Sequence, residues 1–130
     1  MLPIHHLIEQ APEPVAPFSH AVEADGWVFV TGQMPTCPDN PDAPLPEGIE
    51  AQTSRVMENL KLVLGGLGLG LQNVTFARVY LTEFKRDYQA MNAVYRAFFE
   101  PGRLPGRTCV GVSGLAVDAL VEIDLVARRP

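Results

Sequence analysis

Two segments near the carboxyl end combine reactive side chains with apolar strand patterns. Residues 107–112 read Arg-Thr-Cys-Val-Gly-Val, and residues 119–127 read Ala-Leu-Val-Glu-Ile-Asp-Leu-Val-Ala. A guanidinium can hold a carboxylate through two parallel hydrogen bonds. Arg107 is therefore a candidate for binding a small carboxylic acid, with the Cys109 thiol and the Glu122 carboxylate expected close to it.

Strand alternation predicts which of these side chains share a face. Arg107 and Cys109 point the same way along the first segment, and Glu122 and Asp124 do so along the second. We expect the two segments to form a hairpin that places Arg107 and Glu122 on one side of a sheet, in a pocket walled by a second copy of the chain. An Arg107–Glu122 ion pair that only seals an oligomer is the alternative, and spacing alone favours it.

Composition limits the class of protein. The chain has 130 residues, is 47% hydrophobic and carries a net charge of −5 with only two lysines. This is enough for one domain, residues 1–130, with its own core. The acidic balance counts against binding nucleic acid through its phosphates. The sequence has no signal-peptide layout and no apolar run of the roughly 20 residues that a membrane span needs. We expect a cytoplasmic protein without membrane contact.

The hydrophobic periodicity predicts an α+β chain in the order β-β-β-α-β-α-β-β. Short strands within 4–8 and 19–23 precede a clear strand at 27–32, and helices follow within 49–68 and 87–99 around a strand at 74–81. Two helices can cover one face of a single sheet. Because Trp27 and Phe29 alternate with Val28 and Val30, both faces of the sheet carry apolar side chains. The uncovered face should pack against another copy.

Other candidate motifs carry little chemistry. The glycines of 65–71 follow a helix and precede a strand, which is the reverse of a dinucleotide-binding loop. His5, His6 and His20 have no cysteine or acid at metal-ligand spacing, so we interpret them as edge-strand or surface residues. The cysteines, Cys37 and Cys109, lie far apart and are expected to be reduced thiols. The sequence predicts no metal and no cofactor.

Five segments in order and spacing resemble a known family. They are VTGQMP (30–35), QTSRVMENLKLVL (52–64), MNAVYRAFF (91–99), PGRTCVGV (105–112) and VEIDLVA (121–127). Together they resemble the RidA/YjgF family of reactive-intermediate (enamine/imine) deaminases, also named endoribonuclease L-PSP or translation-inhibitor proteins. The resemblance spans nearly the whole chain.

The resemblance implies a fold, an assembly and a reaction. The fold would be chorismate-mutase-like α+β, with two helices on one face of a single sheet, and the assembly a homotrimer with clefts between subunits. The reaction would be cofactor-free hydrolysis of 2-imino acids, such as 2-iminobutanoate and 2-iminopropanoate, to 2-keto acids and ammonia. The ligand would be a small imino or keto acid.

The resemblance also implies roles for individual residues. Arg107 matches the arginine that grips the substrate carboxylate, and Glu122 matches the acid that positions or activates the attacking water. Cys109 matches a cleft cysteine whose thiol is not a required nucleophile, and Gly32 supplies a backbone amide near the carboxylate. The remaining matching positions are Thr31, where the family often has serine, and Asn92 of the second helix.

Two positions depart from the family pattern. Phe18 stands where many members have tyrosine, and Ala116 stands where the family usually has a proline in the turn before the last strand. Phe18 removes a hydroxyl from the expected cleft and makes it more apolar. Substrate choice or activity is expected to change accordingly.

Three alternatives follow from these features. A non-catalytic, carboxylate-binding regulatory trimer is motivated by Phe18 and the altered turn. A ribonuclease or translation inhibitor rests on the family label, and the acidic charge counts against it. Within the deaminase class, an enamine acid of ring cleavage such as 2-aminomuconate is a further candidate substrate.

Overall fold

Six strands form one mixed sheet, and two α-helices pack on one of its faces. The computed structural model describes residues 1–130. The sheet order is β1-β2-β3-β6-β4-β5, and only β4 and β5 pair in parallel. The predicted element order and α+β class are confirmed. The elements are β1 (Ile4–His6), β2 (Ala21–Ala24), β3 (Trp27–Gln33), α1 (Ile49–Gly66), β4 (Val74–Leu81), α2 (Phe84–Ala97), β5 (Gly106–Gly111) and β6 (Val121–Arg128).

The predicted hairpin of the last two strands is wrong. Strand β4 lies between β5 and β6, with Ala77 opposite Arg107 on one side and Tyr80 opposite Glu122 on the other. Helix α2 carries the chain back along the sheet, so that β5 docks parallel to β4 in a β-α-β unit. The connection from Val112 to Leu120 then crosses the end of β4. The alternation of side chains within one strand cannot predict which strands lie next to each other in the sheet.

Helix α1 is positioned by an apolar stripe. Val56, Leu60, Val63 and Leu64 are fully buried and recur at the i, i+4, i+7, i+8 spacing of one helix face. They belong to one core cluster with the inward side chains of β6, and each fully buried side chain of this size contributes roughly 1.5–3 kcal/mol. Neither helix is long and apolar enough to cross a membrane.

The opposite face of the sheet is not covered by a helix. Val28 and Val30 are buried under the helices, whereas Trp27 and Phe29, their neighbours along β3, are exposed. Phe76 and Val110 extend this exposed apolar surface. The prediction of apolar side chains on both faces is confirmed. That a second copy covers the outer face stays a prediction.

His20 is buried, so its interpretation as an edge-strand or surface residue is wrong. Its Nδ1 accepts a hydrogen bond from the Ile8 amide at 2.7 Å, and its Nε2 lies 2.7 Å from the Pro12 carbonyl oxygen. Because Nδ1 accepts from the amide, Nε2 is the ring nitrogen that donates to the Pro12 carbonyl oxygen. His20 therefore ties residues 8–12 to β2.

A charged cluster joins the amino-terminal strands to the end of the chain. Glu23 accepts hydrogen bonds from Arg129 Nε at 2.5 Å and Nη2 at 3.0 Å, and its Oε1 lies 3.1 Å from His6 Nε2. The Arg129 guanidinium is the main reason that the pKa of Glu23 falls below its usual 4.5. The ionised carboxylate therefore stabilises the folded chain.

Replacing Glu23 by glutamine should remove a pH-dependent part of the stability. Because the folded-state pKa of Glu23 is lowered, its contribution is complete above about pH 4.5 and is lost as the pH falls through the folded-state value. The difference in unfolding free energy between wild type and Glu23→Gln should thus be largest near neutrality and shrink in acid. Denaturant titrations across this range measure it. The matched control is Glu47→Gln at an exposed residue without an ion pair, and an equal pH-dependent difference there would contradict the assignment.

Candidate active site

Arg107, at the start of β5, has a guanidinium with no acidic partner. Its carbon Cζ lies 5.0 Å from the Tyr95 ring centre and 5.9 Å from the Tyr88 ring centre, and Nη1 approaches Met91 Sδ at 4.0 Å. The aromatic faces hold the cation by charge–quadrupole attraction. It forms no ion pair within the chain. A half-buried guanidinium that has no acidic partner can bind an anion.

A cavity of about 270 Å³ opens beside this guanidinium, between the second half of α2 and the segment that leads into β5. Two buried polar atoms of cavity-lining residues lack a hydrogen-bond partner: Asn92 Oδ1 and the Tyr95 hydroxyl. Burial raises the pKa of Tyr95 to about 12, with the Arg107 charge opposing the rise. The hydroxyl is thus protonated at neutral pH and can donate. Buried polar atoms are rarely left unpaired, which favours a polar ligand here. The lining residues are Tyr88, Asn92, Tyr95, Arg96, Leu104, Pro105 and Arg107.

Cys109 lies two residues after Arg107 on the same face of β5, opposite the buried Val79. Burial raises the pKa of its thiol, although the Arg107 charge opposes the rise. The thiol is therefore protonated at neutral pH, and a protonated thiol is a poor nucleophile. Its place on the strand makes it part of the surface beside Arg107.

Glu122 is half-buried on β6 and lies against Gly32. A Cβ at position 32 would collide with the Glu122 carboxylate, so only glycine allows this close approach. The pairing of β3 with β6 is irregular here, between Val30 and Gln33. Burial raises the pKa of Glu122, and the Asp124 charge adds to the rise. This carboxyl group holds its proton more tightly than an ordinary glutamate.

Thr31 and Phe18 belong to the surroundings of Gly32. Thr31 Oγ1 donates a 2.6 Å hydrogen bond to the Ser19 carbonyl oxygen, which fixes the segment after Phe18 against β3. Phe18 and Gly32 line the same small crevice, together with residues of the loop that precedes α1. The apolar ring of Phe18 thus stands near the backbone that Glu122 contacts.

Arg107 and Glu122 lie on opposite faces of the sheet, so the prediction that they share one side is wrong. Arg107 is opposite Ala77, which points under the helices, and Glu122 is opposite Tyr80. Positions 77 and 80 of β4 differ by an odd number, so their side chains point to opposite faces. One chain therefore forms neither a shared pocket nor an ion pair between the two residues.

The candidate residues form two separate groups on each chain. We call Arg107, Cys109, Asn92, Tyr88 and Tyr95 the arginine half-site, and Glu122, Gly32, Thr31 and Phe18 the glutamate half-site. The structure brings together the members of each group but separates one group from the other.

Several neighbours of these groups were not identified from the sequence. On the outer face, Arg78 forms two hydrogen bonds with Asp124, at 2.9 and 3.0 Å, and the Tyr80 hydroxyl donates to Asp124 at 3.1 Å. These contacts depend on the cross-strand register, which the sequence does not reveal. Tyr95 could have been recognised, because it lies on the same helix face as Asn92, three residues later. No cluster of histidine, cysteine and acidic side chains suited to a metal is present.

Comparison with known proteins gives the same family along almost the whole chain. The family described as Endoribonuclease L-PSP matches residues 8–129. The 3-aminoacrylate deaminase RutC of Acinetobacter baylyi is 40% identical over 122 residues, 94% of each chain. A RutC family protein of Synechocystis is 39% identical over 121 residues, 93% of this chain and 92% of the relative. The crystal structure of Escherichia coli TdcF with bound serine matches with a TM-score of 0.86 and 30% identity, covering 95% of this chain and 98% of TdcF. These matches show that the chain belongs to the endoribonuclease L-PSP family, whose members also carry the names RidA, YjgF and RutC.

Proposed function

We propose that this protein is a cofactor-free hydrolytic deaminase that converts 2-imino or enamine acids, such as 2-iminobutanoate and 2-iminopropanoate, to 2-keto acids and ammonia. The observation that carries the proposal is the unpaired Arg107 guanidinium in a cavity with two unpartnered polar atoms. Two relatives support it. One is named 3-aminoacrylate deaminase, and another was crystallised with serine, a small amino acid with a carboxylate.

The active site of the proposed enzyme is built between two copies of the chain. The arginine half-site of one copy faces the glutamate half-site of its neighbour, because a single chain holds them on opposite sides of its sheet. Two different surfaces in contact form a head-to-tail interface, which closes into a ring when the rotation from copy to copy divides a full turn. A homotrimer with three clefts is the ring that we propose. Burial of the exposed apolar side chains of the outer face would stabilise it.

In the proposed mechanism, Arg107 holds the substrate carboxylate and fixes the imine carbon in position. Glu122 of the neighbouring copy orients a water molecule and takes one of its protons as the oxygen attacks that carbon. Glu122 passes this proton to the substrate nitrogen, which gives a neutral carbinolamine. Glu122 then takes the proton of the new hydroxyl group and the nitrogen receives it, so that the carbon–nitrogen bond breaks, ammonia leaves and the carbon–oxygen double bond of the 2-keto acid forms.

The other residues complete this cleft. Asn92 Oδ1 accepts a hydrogen bond from the substrate nitrogen, and the Gly32 amide donates to the carboxylate. Cys109 forms part of the wall without covalent chemistry, because its thiol is protonated. Phe18 restricts water on the side of the glutamate half-site.

The direct test is hydrolysis of imines produced in situ from alanine or 2-aminobutyrate by an amino-acid oxidase. Ammonia and 2-keto acid should appear faster than by spontaneous hydrolysis, in proportion to the protein added. A chain that binds 2-keto acids and hydrolyses no imine would contradict the proposal. That result would support a carboxylate-binding regulatory protein instead.

The rate should also depend on the protonation of Glu122. Only the ionised carboxylate can take a proton from water, and its pKa is raised mainly by burial. The kcat/KM for imine hydrolysis should therefore increase with pH and reach its plateau above the range of an ordinary glutamate. In Glu122→Gln, the remaining kcat/KM should no longer fall as the pH is lowered. An unchanged profile in the variant would remove Glu122 from the proposed chemistry.

A further inference from the structure

The cavity beside Arg107 has an unusual charge distribution. Two of its seven lining residues are arginines, Arg107 and Arg96, and none is acidic. Neither guanidinium forms an ion pair within the chain. This occurs in a protein whose net charge is −5. Two uncompensated cations in one concave site raise the local concentration of anions.

The surfaces around the two arginines are apolar or aromatic. Tyr88, Leu104 and Pro105 line the cavity together with the two guanidinium groups. Arg96 lies one turn of α2 after Asn92, so both project from the same side of the helix. Such a site suits a ligand with two negative groups joined by a short carbon chain.

The volume supports a ligand longer than three or four carbons. A cavity of about 270 Å³ has room for roughly nine water molecules at about 30 Å³ each. A monocarboxylate of three or four carbons held at Arg107 has no second negative group to pair with Arg96.

We propose that the preferred substrates are 2-imino or enamine acids with a second, distal carboxylate, which Arg96 binds while Arg107 holds the carboxylate next to the imine. This inference rests on the proposed deaminase function and specifies its substrate class. Arg96 is then a specificity-determining residue. The reaction product would be a 2-keto dicarboxylic acid, released with ammonia.

The test compares ligands and imines that differ in the distal carboxylate. Calorimetric titration of the wild-type protein should give a Kd for 2-oxoglutarate about tenfold lower than for 2-oxobutyrate, which corresponds to about 1.4 kcal/mol. The imine generated from glutamate should likewise have a higher kcat/KM than the imine generated from 2-aminobutyrate. In Arg96→Gln, both ratios should fall about tenfold. The matched control is Arg103→Gln, which removes an equal charge from an exposed position outside this cavity and should keep both ratios.

The outcomes separate this inference from the proposed function. Hydrolysis of the monocarboxylate imine without preference for the dicarboxylate would overturn the inference and leave the deaminase intact. Arg96-dependent binding of 2-oxoglutarate without hydrolysis of any imine would support the ligand class and overturn the deaminase. Inorganic phosphate that binds more tightly than 2-oxoglutarate, with the same dependence on Arg96, would overturn the assignment to a carboxylate.

Discussion

Arg107→Ala should lower kcat/KM for imine hydrolysis by about a hundredfold or more while the protein stays folded. The guanidinium has no ion-pair partner within the chain, so its removal leaves no buried carboxylate unpaired. A charge-assisted hydrogen bond contributes roughly 1.5–3 kcal/mol, and the proposed carboxylate grip uses two. A loss of about 3–4 kcal/mol of transition-state stabilisation corresponds to a factor of about 10²–10³.

The design of this experiment separates binding of substrate from stability of the fold. Arg107 also packs against the Tyr95 ring, so the thermal midpoint and the oligomeric state of the variant must be measured beside its kinetics. Arg107→Lys keeps the charge without the planar fork and should recover only part of the rate. Arg103→Ala, at an exposed position of the segment that leads into β5, should behave as wild type. A fully active Arg107→Ala protein would reject the proposed role of the guanidinium.

Mixing two inactive variants should restore activity. In the proposed ring, each site combines Arg107 of one copy with Glu122 of the next, because a single chain places them on opposite faces of its sheet. Arg107→Ala and Glu122→Gln subunits that assemble at random in equal amounts would regenerate an intact site at about one interface in four. About a quarter of the wild-type rate should return in an unselected mixture, and about a third in a preparation purified over both tags, because every mixed trimer has one intact site among its three interfaces.

The mixed oligomers can be produced by co-expression of two differently tagged chains and purification over both tags. Each variant alone, treated in the same way, is the control and should stay near the background rate. Tandem-purified mixtures that remain inactive would contradict a site shared between copies. Activity in either variant alone would show that the missing residue is not needed.

Local sequence patterns predicted the elements and the faces within them. The apolar spacing around Leu60 placed α1 within a few residues of its bounds, and the predicted strand 74–81 coincides with β4. Alternation also correctly placed Arg107 and Cys109 on one face of their strand. These features depend on residues close together in the chain, whose period of 3.6 or 2 follows from backbone geometry alone.

The relation between Arg107 and Glu122 was mispredicted because it depends on contacts distant in sequence. Insertion of β4 between β5 and β6, and the register that pairs Ala77 with Arg107 and Tyr80 with Glu122, put the two residues on opposite faces. A change of one residue in the pairing register of two strands would move the side chains of one strand to the other face of the sheet. The alternating pattern within each strand would stay the same. His20 was misplaced for a related reason, since its hydrogen-bond partners, Ile8 and Pro12, come together only in the folded chain.

The sequence by itself determined the α+β class, the order of the elements, the apolar character of both sheet faces and, through five short segments, the family resemblance. Only the tertiary structure decided which strands are neighbours, which polar atoms are left without partners, and that Arg107 and Glu122 lie on opposite faces of the sheet. Periodicity encodes the direction of a side chain relative to its own backbone. Strand order and register depend on the packing of the whole core, to which every element contributes.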